Sequence, residues 1–185
     1  MKTNYSLLVV DDEARARRHI VEDIEWDSIY VTEIYEASNG VDALKVIDEK
    51  KPDIIIMDLK MPVMDGVSLL ENIINEEIDI QVIALSGYSD FNAARKMLNS
   101  GIVVEYLLKP ATQDALLEAA DKCISNIEEK RRVQQLKNNF DKARNSIRKT
   151  ALGYCLFGNQ EEDDVADYIN NDNYVQVAVT SANNS

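Results

Sequence analysis

Charged residues end three apolar runs in this chain. "SLLVV" (6–10) runs into Asp11 and Asp12, "IIIM" (54–57) runs into Asp58, and the stretch 102–108 closes on Lys109 and Pro110. A continuous apolar run bounded by turn residues reads as a strand buried on both faces. If these strands are neighbours in one sheet, three carboxylates and a lysine meet in one hollow. Like charges within ~4–6 Å disfavour one another's ionised form, and desolvation adds to that cost. Lys109 supplies one compensating charge, and the remaining excess suits a hard divalent ion. Mg²⁺ takes oxygen ligands, keeps several waters and uses one or two carboxylates. A phosphate oxygen is then a natural further ligand, so the predicted chemistry is phosphoryl handling at Asp58.

The elements that must position these groups alternate. Strand patterns at 6–10, 31–37, 54–57, 80–85 and 102–108 are separated by helix-like patterns at 13–26, 41–49, 67–75 and 90–99. The helix over 13–26 carries the stripe Ala14, Ile20, Val21 and Ile24, and that over 67–75 carries Leu69, Leu70, Ile73 and Ile74. Asn39-Gly40 and Asp65-Gly66 punctuate the starts of two of these helices. Five strands with intervening helices in so short a span predict an α/β, doubly wound five-stranded parallel sheet. Sites in such sheets lie at the carboxyl ends of the strands, near the switch in strand order.

From residue 112 the pattern stays helical to 150, with neither glycine nor proline between. Leu117, Ala120, Ile124 and Ile127 form one apolar set; Val133, Leu136, Phe140, Ala143 and Ile147 form a second, at coiled-coil spacing. A skip in register separates them. The reading is one long helix whose second half is a dimerisation stalk, against the competing reading of a helix folded back on its own domain. The domains expected are 1–124, a linker over 125–150, and 151–185 as the start of a second domain. One alternating strand pattern ("YVQVAVT") and one short acidic helix in that last stretch cannot enclose a core.

Charge follows the same divisions. Residues 1–124 carry 12 basic and 24 acidic side chains, 125–150 carry 8 and 3, and 151–185 carry none and 6. An acid-rich first domain does not bind nucleic acid by releasing counterions, and the basic strip reads first as a solvated helix face. Cys123 and Cys155 are too few and too far apart for a disulfide framework or a metal site. No apolar run is long enough for a membrane span and no signal-peptide pattern opens the chain, so a cytoplasmic location is expected. His19, the only histidine, sits among arginines and reads as an exposed helix residue.

Four separated motifs, "VVDDEARARRHI", "PDIIIMDLKMPVMDG", "IALSGYSDFNAARKMLNSG" and "EYLLKP", occur in that order. Over residues 4–124 the chain resembles the receiver domain of two-component response regulators. The resemblance implies a flavodoxin-like sheet of order 2-1-3-4-5 and a role as phosphoacceptor for a sensor histidine kinase. It implies Asp58 as the nucleophile that forms an aspartyl phosphate, and Mg²⁺ (or Mn²⁺) held by Asp12, by Asp11 through water, by Asp58 and by the Lys60 carbonyl. Lys109 is implied to pair with the phosphoryl oxygens, Ser86 to close on them, and Tyr106 to act as the aromatic switch. Lys60 and Tyr88 are implied to set the phosphate's lifetime, and Lys109-Pro110 to be a cis peptide.

The version of these motifs, followed by a long helix and "LGYCLFGN", looks most like receivers coupled to an AraC-type helix-turn-helix domain. DNA contact is therefore expected only through a domain further toward the C-terminus. A homodimer is expected through residues 117–147, through the face of the 90–99 helix and the fifth strand, or through both. No enzyme activity is expected beyond self-phosphorylation and autodephosphorylation at Asp58. A stand-alone receiver or a phosphorylation-independent dimerisation module is the alternative. A Mg²⁺-dependent phosphatase of the haloacid dehalogenase kind is remote, since it wants an acid two residues after the nucleophile, where this chain has Lys60.

Overall fold

The structure is a computed structural model that describes residues 4–87 and 101–157, with 150–157 described by backbone only. Five strands, β1 (Tyr5–Val10), β2 (Val31–Ala37), β3 (Ile54–Asp58), β4 (Gln81–Ser86) and β5 (Val103–Leu108), form one sheet of order β2-β1-β3-β4-β5. Every neighbouring pair is parallel. Around it lie α1 (Ala14–Glu22), α2 (Gly40–Lys50), α3 (Gly66–Asn75) and α4 (Gln113–Phe157). The predicted helix over 90–99 and the strand and helix patterns beyond 157 lie outside the described residues.

Period-2 geometry explains why the three inner strands carry unbroken apolar runs. Leu8, Val10, Ile55, Met57, Val82 and Ala84 point into one core, with Ala43 and Ile47 of α2 and Leu69, Leu70 and Ile73 of α3. Leu7, Val9, Ile54, Ile56, Ile83 and Leu85 point to the other, with Ile20 of α1 and Leu116, Ala120 and Cys123 of α4. Each face needs its own apolar cover, so alternation between apolar and polar has no place here. Burial on this scale stabilises by about 25 cal/mol per Å² of apolar surface removed from water.

Local signals set the helix starts. Asn39 caps α2, its Oδ1 accepting from the Asp42 amide at 3.0 Å, and Asp65 caps α3, its Oδ1 accepting from the Ser68 amide at 2.8 Å.

Two helix stripes differ from expectation. The helix expected over 13–26 stops at Glu22, and a 3₁₀ turn over Trp26–Ile29 follows. Ile24 is buried from the bend after α1 and Trp26 from the turn itself, with the Trp26 indole N–H donating to the Ile20 carbonyl at 2.7 Å, while Ala14 is exposed. In α3, Ile74 is exposed where Leu69, Leu70 and Ile73 are buried.

Packing divides the chain between Lys130 and Arg131. Within the first unit, Leu116, Ala119, Ala120, Cys123 and Ile127 are buried against the sheet, and Leu117 and Ile124 pack at the edge of that core. The upstream part of the range 117–147, expected at a dimer interface, is thus occupied by its own sheet. Residues from 131 to 149 are helical, and Val133, Leu136, Phe140 and Ile147 are exposed. The helix also continues past 150 to Phe157.

Candidate functional site

Asp11 and Asp12 follow β1 and Asp58 ends β3, adjacent strands where the chain order reverses between β1 and β3. Carboxylate oxygens of Asp11, Asp12 and Asp58 all lie within 4.8 Å of one another. Asp11 is fully buried, Asp58 nearly so, and Asp12 is exposed.

Lys109 follows β5, and its Nζ donates to Asp11 Oδ2 and to Asp58 Oδ2, both at 2.6 Å. Burial works to lower the Lys109 pKa, but the hydrogen bonds and charges of Asp11 and Asp58 outweigh it and hold the ammonium above its ordinary range. The second oxygen of each acid is also engaged: Asp11 Oδ1 accepts from the Glu13 amide at 2.9 Å, and Asp58 Oδ1 from the Lys60 amide at 3.1 Å. Asp12 has no side-chain partner among the described residues. Three carboxylates against one ammonium leave an acidic, oxygen-only donor set with one member open to solvent. That set fits a hard dication such as Mg²⁺.

The remaining expected residues lie on β4, on β5 and after β3, or outside the described residues. Ser86 ends β4, fully buried, and its hydroxyl donates to the Gly87 carbonyl at 2.8 Å. Its own carbonyl accepts from the Lys109 amide at 2.8 Å, tying the ends of β4 and β5 together. Lys109-Pro110 is cis. Tyr106 lies opposite Ala84 and packs on the core shared with α2 and α3, its hydroxyl buried without a partner among the described residues. The Lys60 side chain is exposed. Tyr88 lies outside the described residues. His19 is exposed and pairs with Asp23 Oδ2 at 2.6 Å, away from this cluster's hydrogen bonds.

Two positions that pattern reading passed over belong to the site. A Cβ on Gly66 would stand 2.2 Å from the Asp58 carbonyl oxygen, so only glycine lets α3 begin against the backbone of that acid. Arg17 donates from Nη1 to the Asp11 carbonyl at 2.6 Å and from Nε to Glu36 Oε2 at 2.8 Å. The Asp-Gly pair was a visible signal for the first; the second depends on a backbone acceptor and leaves no side-chain pattern. Beside the cluster, a cleft of about 830 Å³ is lined by Asp11, Lys109 and Pro110 and by Arg15, Arg18 and His19 of α1.

Comparison with known proteins agrees with this geometry. The uncharacterized transcriptional regulatory protein YesN of Bacillus subtilis is 33% identical over 144 residues, covering 76% of this chain and 39% of that protein. A response regulatory protein of Staphylococcus epidermidis is 35% identical over 129 residues, 49% of its length. The chain thus spans less than half of these curated relatives. Among solved structures, the REC domain of AraT, a response regulator from Geobacillus stearothermophilus, superposes with a TM-score of 0.63 at 31% identity, covering 69% of this chain and 98% of that one. A two component transcriptional regulator AraC from Clostridium phytofermentans gives 0.63 at 28% identity, covering 68% and 97%. Residues 7–121, the whole sheet from Leu7 onward with its acidic hollow, match the family model of the response regulator receiver domain, and the chain belongs to that family.

Proposed function

We propose that this chain is the phosphoacceptor part of a two-component transcriptional regulator, taking a phosphoryl group on Asp58 from a sensor histidine kinase. The convergence of Asp11, Asp12 and Asp58 within 4.8 Å around the Lys109 ammonium is the observation that carries this reading. In it, Asp12, Asp58, the Lys60 carbonyl and, through water, Asp11 would hold Mg²⁺. Bound there, the ion would supply charge neutralisation for phosphoryl transfer.

Asp58 Oδ attacks phosphorus; the new O–P bond forms as the P–N bond to the donor imidazole breaks, and the imidazole keeps the electron pair and takes a proton. Little covalent assistance is needed, and positioning with charge neutralisation does most of the work. Lys109, already between Asp11 and Asp58, is placed to follow the added charge, about −1.5 to −2 with three strong acceptors. Ser86 trades its bond to the Gly87 carbonyl for a phosphoryl oxygen, and Tyr106 responds from the β5 side. That differential contact shifts the population toward the active conformer. Lys60 and Tyr88 set water access and hence phosphate lifetime. The cleft along α1, with Arg15 and Arg18 on its rim, is the approach for the donor.

The output of this reading is dimerisation, through the exposed stripe 133–147, through the face of the 90–99 segment and β5, or through both. In this reading DNA contact belongs to an AraC-type helix-turn-helix domain further toward the C-terminus. The reading places the protein in the cytoplasm. Among the described residues no helix is long and apolar enough to cross a membrane.

Incubation with acetyl phosphate and Mg²⁺ should add one phosphoryl group by mass, and Asp58→Asn or chelation should abolish the addition. A parent protein that gains no mass would favour the phosphorylation-independent module instead.

A further inference from the structure

We infer that Arg17 is a positioning residue for the metal site: by gripping the Asp11 carbonyl from α1 it orients the Asp11–Asp12 peptide and thereby sets the affinity for a divalent cation. This inference rests on the reading of the carboxylate cluster as a Mg²⁺ site.

Every other polar group around Asp11 has an anchor. Its amide donates to the Ala37 carbonyl at 3.2 Å, and its carboxylate accepts from the Glu13 amide and from Lys109. Its carbonyl is the remaining group, and Arg17 Nη1 holds it at 2.6 Å. That carbonyl belongs to the peptide leading into Asp12, the one acid of the three with no side-chain partner among the described residues. Direction for the Asp12 carboxylate therefore has to come from its backbone, which the Asp11 carboxylate holds from the Glu13 side and Arg17 holds at the Asp11 carbonyl.

The guanidinium is suited to this task where an ammonium is not. Its planar fork donates in two directions at once, with Nε on Glu36 Oε2 at 2.8 Å. Glu36 lies on β2 opposite Val9 of β1, so the fork is braced on the sheet itself. Glu36 also neutralises Arg17, so that the grip adds little net positive charge beside a site meant for a cation. The Arg17 side chain is 18% exposed, which leaves it partly shielded from competing water.

Charge and positioning predict opposite signs. Removing a cation near a dication site should tighten binding if Coulomb attraction and repulsion alone decide. Removing a positioning group should weaken it, by about tenfold for a residue that orients a metal ligand. Calorimetric Mg²⁺ titration of the parent, Arg17→Ala, Arg17→Lys and the double variant Arg17→Ala/Glu36→Ala separates the two.

The expected result is weaker binding in all three variants, with far-UV circular dichroism unchanged. The double variant matters because it leaves the local net charge as in the parent. Equal or tighter binding in Arg17→Ala, full recovery in Arg17→Lys, or parental affinity in the double variant would each overturn the inference. Absence of Mg²⁺ uptake by the parent would remove the site reading itself, and this inference with it; uptake by the parent with unchanged affinity in Arg17→Ala removes the inference alone.

Discussion

Two stretches of α4 have the same apolar periodicity and opposite fates. Between 116 and 127 the apolar residues are buried against β1, β3 and β4 through Leu116, Ala120 and Cys123. Between 133 and 147 they stand in solvent, with Phe140 and Ile147 each 70% exposed. The register skip between Ile127 and Val133 falls where packing divides the chain, between Lys130 and Arg131. Composition changes there too: small residues, Ala119, Ala120 and Cys123, let the first stretch lie close on a sheet, while the second sets large residues among lysines and arginines. Helical spacing alone shows that a face is apolar; the side-chain sizes on and beside that face indicate what covers it.

The contrast is sharpest in stability. Leu116→Ala should cost about 2–5 kcal/mol and lower the melting temperature by roughly 10 °C. Phe140→Ala should change stability of the monomer by no more than about 0.5 kcal/mol while weakening self-association in sedimentation equilibrium. Equal melting shifts in the two variants would erase the distinction drawn between the stretches.

A second test uses the thiol in the buried stripe. Burial, with a smaller contribution from the charge of Glu105, pushes the Cys123 thiol up to about 12 from an ordinary 9.0. The unfolded chain releases that proton first. The associated stability is therefore intact below about pH 9 and is lost as pH climbs toward the folded value. Lys109, held above 10.5 in the fold, adds loss in the same direction at higher pH. Urea midpoints should fall between pH 8 and pH 10.5, and Cys123→Ala should flatten part of that fall; an identical slope in the variant would count against the buried thiol as a source.

The smallest effect belongs to the exposed stripe. With Val133, Phe140 and Ile147 at one core position and Leu136 and Ala143 at the other, a parallel pairing of two copies brings Arg132 against Lys137 of the second copy. No acid occupies the flanking positions from 132 to 146. Lys137→Glu should therefore tighten the dimer by less than about 1 kcal/mol per contact, and added salt should tighten the parent. A dimer constant that ignores both changes would point away from this pairing.

Much of this organisation was legible in the sequence because it rests on large, local costs. An unbroken apolar run has few places to go except between two helical layers, and an acid at its end demands compensation, so the sheet and the Asp11, Asp12, Asp58 and Lys109 cluster could both be read. Stripe phase was harder. Leu116-Leu117 and Cys123-Ile124 are apolar doublets, and either member satisfies a helical period, so spacing accommodates Leu117 and Ile124 as well as the Leu116 and Cys123 that the fold buries more fully. The end of α1 was missed for a related reason: Ile24 and Trp26 continue the apolar spacing although the chain reaches the core by a 3₁₀ turn. Arg17 was invisible as a site residue because its partner at the site is a carbonyl, which every residue type provides.

Trp26 is the chain's one tryptophan, 3% exposed, with its indole N–H bound to the Ile20 carbonyl. Emission excited at the red edge of protein absorbance therefore comes from a single corner of the sheet domain. That optical signal reports melting of the sheet domain, and no tryptophan in residues 131–185 adds to it.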